Sequence, residues 1–466
     1  MGEAAKINSA QEAKYIKMTT EPVDKLVREF ALPSIGSLLI TNIYNLVATF
    51  FVSHINTQST AAIGVVFSYM ALVQAGAFFF GQGSANFISR ALGKKDLGSA
   101  ETMAATGLLT AMAMAVFFTA IGFIFMEPIL RIMGSTATIM PYAKSYMRFI
   151  LIGAPFIAGG FVLNNQMRLQ GNAMLALIGI GSGTILNIFL TPALIFWADM
   201  GVAGAGLSTL VCQMLSFFLM LRISGRRGGV RIVFSRFKLN WGILEEITSG
   251  GLPSLTRQGL AAVAGVCLNY LASGYGDSAV AAFSIVNRVM MFALAAMLGY
   301  GQGFQPVCGF NYGAGLFDRV RKGFWRSTKV SSLYCLAFSV AGFIFAPQII
   351  ASFRKDDAEV MRLGIEILRW QCLSFPFVAF ITMSNMYLQN IRKTVPAVIV
   401  AMSRQGLFFL PILFASSGLL DFKGLEMTQP LADWLSFIVS VPLTLTALKN
   451  MEKDKPAANF DEQAEF

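Results

Sequence analysis

Twelve runs of mostly apolar residues constrain this chain more than anything else in it, because each is long enough to cross a bilayer. A helix needs about 20 such residues to span a hydrocarbon core of ~30 Å. The runs fall near 29–52, 61–83, 102–126, 145–166, 173–197 and 203–222, then near 247–272, 279–304, 328–350, 364–388, 395–417 and 430–448. No water is available inside a bilayer to satisfy backbone N–H and C=O groups, so runs of this length read as helices. Only 13% of the 466 residues are charged and 55% are hydrophobic, whereas a soluble domain is about 25% charged. The reading is an all-α membrane protein with twelve transmembrane helices.

A net charge of +11 raises the possibility of a nucleic-acid partner, but the cations sit in short connectors between apolar runs. Their distribution follows the positive-inside rule. One side collects 25 Lys and Arg residues, including the tail before residue 29, the pair Lys94-Lys95 and the connector from Arg222 to Lys238. The other side has seven: Arg131, Lys144, Arg148, Arg354, Lys355, Arg362 and Lys423. Both termini are therefore expected on the cytoplasmic face of a cell (inner) membrane, with no nucleic-acid partner. The polar first 25 residues show no cleavable signal sequence.

Cysteine and histidine usage narrows the chemistry. Cys212, Cys267, Cys308, Cys335 and Cys372 stand singly inside apolar runs, without disulfide or zinc spacing. With His54 the sole histidine, a catalytic triad or a His-based metal site has no material. The expectation is no catalytic residue, no metal, no cofactor and no enzyme activity.

The chain also repeats itself. Leu32-Pro33-Ser34 returns as Leu252-Pro253-Ser254, Gly81-Gln82-Gly83 as Gly301-Gln302-Gly303, and Gly93 as Gly313, each 220 residues on. Pro155-Phe156 returns as Pro376-Phe377, and Leu169-Gln170 as Leu388-Gln389. So many ordered matches mean duplication. Six helices per half is even, so both halves start from the same side, giving two six-helix bundles in a parallel repeat. The organisation reads as a cytoplasmic tail (1–28), an N-terminal lobe (29–222), a basic connector (223–246), a C-terminal lobe (247–448) and a second tail (449–466). Two such bundles suit alternating access to a central cavity.

Several of these residues resemble the multidrug and toxic compound extrusion (MATE) family. They are Met126-Glu127-Pro128, Gly183-Thr184-Ile185-Leu186-Asn187-Ile188, Met200 to Gly206, Gly303-Phe304-Gln305-Pro306 and Asn311-Tyr312-Gly313-Ala314. The resemblance runs over roughly 25–450. It implies a two-lobed secondary antiporter that expels organic compounds in exchange for Na⁺ or H⁺. Three positions where relatives carry acids are empty here. A Val-Asp-Thr pattern reads Val47-Ala48-Thr49, the Asp four residues after Asn187 is Thr191, and a Glu eight residues after Pro253 is Ala261. Asn187, Thr191 and Thr209 remain as neutral oxygen donors and are the cation-site candidates; hard cations accept such ligands.

Charged residues at membrane depth cost ~2.5–3.5 kcal/mol each and are functional candidates by default. Arg257-Gln258-Gly259 and Arg404-Gln405-Gly406 are one tripeptide occurring twice in the C-terminal half, and Arg288 is a third such arginine. Asn42, Asn45, Asn165, Asn269 and Gln302 complete the candidate substrate or cavity set with Arg257, Gln258, Arg404 and Gln405. Tyr44, Asn164 and Tyr270 are lesser members, and hydrogen bonding between helices is the alternative role for each. Glu366 has i,i+3 spacing for an ion pair with Arg369. Glu366 and Asp433, near the starts of their helices, are the few acids able to pair with the arginines at depth, and Asp433 equally reads as an ordinary charge near a helix start. Pro33 and Pro253 read as first-turn prolines, where proline is tolerated.

The sequence thus points to a monomeric secondary transporter exporting amphipathic organic compounds, drug or metabolite, as a Na⁺ or H⁺ antiporter. The alternative is a flippase for a lipid-linked or amphipathic metabolite. Retained arginines and lost acids favour neutral, zwitterionic or anionic substrates over organic cations, or else coupling moved to the C-terminal lobe.

Overall fold

The computed structural model describes residues 3–354 and 356–452, leaving aside the side chains of 3–8 and 44–49. Among the described residues the regular structure is helical throughout. An amphipathic-length α1 (Glu3–Thr20) precedes α2 (Val23–Ser53), α3 (Thr57–Gly93), α4 (Leu97–Ile124), the short α5 (Met126–Ile132) and α6 (Met140–Leu169). Then come α7 (Ala173–Pro192), which runs on through a π-helical turn at Ala193–Trp197, and α8 (Gly201–Ile223). The second half holds α9 (Trp241–Ser273), α10 (Asp277–Gly313), α11 (Phe317–Ile344), the short α12 (Ala346–Phe353) and α13 (Ala358–Asn390). It ends with α14 (Thr394–Met402), a π-helical turn at Ser403–Leu407, α15 (Phe409–Leu419) and α16 (Asp421–Asn450).

Counting α7 with its π turn, and α14 to α15 as one interrupted rod, these give twelve long helices. Eleven of those described are apolar and long enough to cross a membrane. The twelfth, α9, has the length, but Arg257, Gln258 and Asn269 lower its hydropathy. Most helices outrun the 20-residue ruler because they continue past the hydrocarbon. Pro33 and Pro253 are consequently interior to α2 and α9, not in their first turns. The N-terminal tail is itself mostly the helix α1.

The duplication is written in the backbone as well as in the side chains. The turn after α3 passes through Lys95 at φ 64° and the turn after α10 through Gly315 at φ 73°, 220 positions apart. The turns after α6 and α13 use Gly171 at φ 81° and Arg392 at φ 61°. A left-handed residue ends a helix by turning its last N–H groups back onto free carbonyls. Side-chain caps start the next ones: Asp96 accepts from the Ser99 N–H at 3.0 Å and Asn56 from that of Ser59 at 2.7 Å.

The chain divides into two compact units. Of the described residues, the first comprises 3–21 and 36–251, and the second 22–35 and 252–452. In the first, α6 is the central helix, packed on α3, α4, α7 and α8; in the second, α13 holds that place against α10, α11 and α16. Each unit also contains the opening segment of the other half's first long helix. Glycines make room for these crossings. A Cβ on Gly83 of α3 would stand 2.2 Å from the Ile247 carbonyl oxygen of α9, and one on Gly303 of α10 would stand 2.5 Å from the Ala31 nitrogen of α2. Ion pairs hold the same segments. In the first unit buried Arg90 meets Glu246 at 2.6 Å, and in the second Arg326 pairs with Asp24.

Candidate functional site

Each unit carries its own buried polar cluster, and the two differ in kind. In the first unit the cluster lies between α7 and α8. Small residues on both helices let them approach closely: a Cβ on Gly183 would come 2.1 Å from the Ser216 hydroxyl. Asn187 donates its Nδ2–H to the Ser208 hydroxyl at 3.1 Å, and Thr191 shares a hydrogen bond with the same hydroxyl at 2.8 Å. Thr209 donates to the Ala205 carbonyl at 3.0 Å and also meets the Tyr146 hydroxyl. The structure therefore brings together two of the three cation-site candidates, Asn187 and Thr191, on Ser208, which the sequence reading did not single out, while Thr209 bonds elsewhere. Asn187, Thr191, Ser208 and Thr209 are almost wholly buried. The Asn187 Oδ1 oxygen is buried without a hydrogen-bond donor among the described residues.

That unpartnered oxygen, with the Ser208 and Thr191 hydroxyls beside it, is an arrangement to which a small hard cation fits by ligand type. It brings no carboxylate, so a cation there would keep its full charge. The first-helix position at Ala48, and the candidate Asn45, lie outside the described side chains.

In the second unit the cluster is charged. The π turn at Ser403–Leu407 interrupts the rod of α14 and α15 and carries Arg404; such turns insert one residue and re-aim their side chains. Arg404 Nε donates to Asp433 Oδ1 at 2.8 Å. Gln429 Nε2 donates to the same oxygen at 2.7 Å, and the Ser374 hydroxyl donates to Asp433 Oδ2 at 3.1 Å. Gln405 donates to Gln429 Oε1 at 3.4 Å, extending the network by one residue. Asp433 is 1% exposed. The helix-start reading of Asp433 is thereby corrected, since α16 begins at Asp421 and the carboxylate sits about 18 Å along it at 1.5 Å per residue. Three donors, one of them a guanidinium, are what a buried carboxylate needs to remain charged.

Arg257 on α9 lies close enough to Arg404 for the two like charges to act on each other. Asp433 is engaged by Arg404, and among the described residues no ion pair reaches Arg257. The neighbouring Gln258 Nε2 is buried without a partner among the described residues. The C-terminal candidates Arg257, Arg404 and Gln405 thus lie in or beside one network, with Asp433 as the acid that pairs and Ser374 and Gln429 as members found only from the structure.

The remaining candidates scatter. Asn165 is 1% exposed and its groups are taken up inside the first unit: its Oδ1 accepts from Gln82 and Arg168, and its Nδ2 donates to the Phe161 carbonyl. Gln302 and Asn42 are half-buried, whereas Asn269 and Arg288 are exposed on their helices. The expected Glu366–Arg369 pair does not form: Arg369 lies 5.2 Å over the Phe343 ring, and Glu366 meets Glu426 instead.

Two duplicated helical units, each with a polar cluster at membrane depth, define a polytopic membrane protein of the transporter type. The chain belongs to the MatE family, whose model matches it twice, over residues 33–193 and 253–414. It is a membrane transporter, not an enzyme. The multidrug export protein MepA of Staphylococcus aureus (strain MRSA252) is 25% identical over 430 residues, covering 90% of this chain and 93% of that protein. MepA of Staphylococcus saprophyticus is 24% identical over 443 residues, covering 93% and 96%. Among solved structures, MATE in its bent conformation superposes with a TM-score of 0.88 at 23% identity, over 95% of this chain and 99% of that one. A MOP-superfamily transporter from Pyrococcus furiosus, described as having a binding pocket of reverse polarity, superposes with a TM-score of 0.86 at 23% identity, over 94% and 98%.

Proposed function

We propose that this transporter exports amphipathic organic compounds by alternating access as an antiporter driven by Na⁺ or H⁺, and that it favours neutral, zwitterionic or anionic compounds. The observation that carries the preference is Arg257 beside Arg404, with the single acid of the network already engaged by Arg404. An uncompensated guanidinium in a low-dielectric site repels an organic cation and attracts a carboxylate, sulfonate or phosphate. The multidrug export named for the MepA relatives supports the efflux reading, and the Pyrococcus furiosus transporter supports the idea that pocket polarity varies on this fold. The basic connectors support a cell (inner) membrane location with both termini cytoplasmic, and the protein works as a monomer with no cofactor in this reading.

The test is transport by purified protein in proteoliposomes, with Na⁺ and H⁺ gradients imposed separately, using one anionic, one zwitterionic and one ethidium-like cationic probe. The anionic or zwitterionic probe moves best, and Arg257→Ala lowers its transport. Efficient transport of the cation, unaffected by Arg257→Ala, overturns the substrate preference. Movement of a fluorescent lipid analogue without export of any soluble probe favours the flippase alternative.

A further inference from the structure

We propose that Glu366 and Glu426, paired between α13 and α16, form a proton-binding site of the second unit and make H⁺ the driving ion. The inference rests on the antiporter reading above and deepens it by naming where the coupling ion binds.

The geometry starts from how the two helices face each other. Ser374 of α13 meets Asp433 of α16 at 3.1 Å. Two turns back along both helices, Glu366 stands opposite Glu426, and their carboxyls are within hydrogen-bonding distance. Two ionised carboxylates are acceptors only, so a hydrogen bond between them requires one to carry a proton. Like charges at such a separation cannot both stay ionised cheaply.

Glu426 is 2% exposed. Its Oε1 oxygen is buried without a hydrogen-bond donor among the described residues. A charged carboxylate left so poorly satisfied is costly, whereas a carboxyl holding or sharing a proton is not.

The surrounding charges are few. Arg362 of α13 and Lys423 of α16 are the cations whose fields reach Glu426. The π turn contributes Arg404, already bound to Asp433. Neither α14 nor α15, which also pack on α16, carries a titratable side chain. The hydroxyls of Ser416 and Thr428 both donate to the Gly424 carbonyl. A metal cation wants a shell of several oxygen ligands. A single proton needs only the two carboxyls. The site also stands apart from the empty acid positions at Ala48, Thr191 and Ala261.

The experiment compares wild type with Glu426→Gln, Glu366→Gln and Glu426→Asp. Glutamine keeps the shape and can hydrogen-bond the remaining carboxyl, and melting temperature in detergent reports whether each variant folds. Proton release on an alkaline step is read with a pH-indicator dye in weakly buffered detergent solution. Either Gln variant releases one proton fewer than wild type, and the double variant releases no fewer than either single one. In proteoliposomes both Gln variants lose accumulation driven by a pH gradient while keeping counterflow exchange of the probe, and Glu426→Asp keeps both. Unchanged proton release, or pH-driven accumulation that survives in folded Gln variants, overturns the assignment. Wild-type accumulation driven by Na⁺ alone overturns it too. A wild type that transports no probe under any gradient removes the antiporter reading itself, a result distinct from failure of the carboxyl pair.

Discussion

The two units descend from one duplicated sequence and keep its helix order, yet they hold opposite chemistries at membrane depth. The first gathers neutral groups, Asn187 and Thr191, around the Ser208 hydroxyl. The second gathers charges: Arg404 on Asp433, Arg257 alongside and a carboxyl pair further along α13 and α16. The backbone differs at the matching place as well. In the first unit the π turn follows Pro192 at the end of α7; in the second it precedes Pro411, within the rod of α14 and α15. Only the second π turn carries a member of its unit's polar cluster, Arg404. Duplication conserves packing, and polar chemistry then diverges wherever a few side chains are re-aimed.

The largest expected break in this comparison comes from removing one partner of the charged cluster. Asp433→Ala leaves Arg404 buried without its acid and should destabilise by about 3–5 kcal/mol, whereas Asn187→Ala in the neutral cluster should cost about 0.6 kcal/mol, typical of one interhelical hydrogen bond in a membrane. Thermal unfolding in detergent measures both, and equal losses would mean the clusters are energetically alike. Restoring stability in an Arg404→Ala/Asp433→Ala double variant would show that the pair is a coupled unit.

A second comparison tests what the units share. Gly83→Ala and Gly303→Ala each force a Cβ against backbone at 2.2 and 2.5 Å, and overpacking of this kind costs about 1–3 kcal/mol. The two variants should lose similar stability in the same melting assay. A loss at one glycine alone would show that the crossing segments are not equivalent.

The smallest effect concerns a feature of the first unit only. Lys14 of α1 donates to Asn172 Oδ1 at 3.1 Å and lies 3.4 Å from the Gly228 carbonyl oxygen. Burial, helped by Lys17, lowers its pKa from 10.5 to about 7. Between about pH 7 and 10.5 the undocked helix keeps a proton that the docked helix has given up. Docking therefore tightens as pH rises through that window and is weakest below it. Hydrogen exchange of residues 9–20 should slow from pH 7 to 9 once corrected for intrinsic rates, and Lys14→Met should abolish the pH dependence.

Helix number, the two halves and their offset were legible from sequence because membrane burial imposes length and polarity on every span. Arg257, Arg404 and Gln405 were legible as charge or amide at depth, which is costly enough to be conspicuous. Asp433 was legible as one of few possible partners for the arginines, and its competing helix-start reading arose because helix starts were placed where apolarity begins, while α16 begins twelve residues earlier at Asp421. Ser208, Ser374 and Gln429 carry no such signal, since single hydroxyls and amides are common in membrane helices. The Glu366–Glu426 meeting joins residues 60 positions apart, and only packing of α13 on α16 reveals it.

The exchange of first-helix segments has a consequence for biosynthesis. Residues 22–35 leave the ribosome early, but the unit that holds them is otherwise built from 252–452. They must wait for more than 200 later residues before their final neighbours exist. The first unit, conversely, is not complete until residue 251 has been made. Neither half of the gene therefore encodes a finished body, and the earliest membrane helix to emerge is among the last to be fully packed.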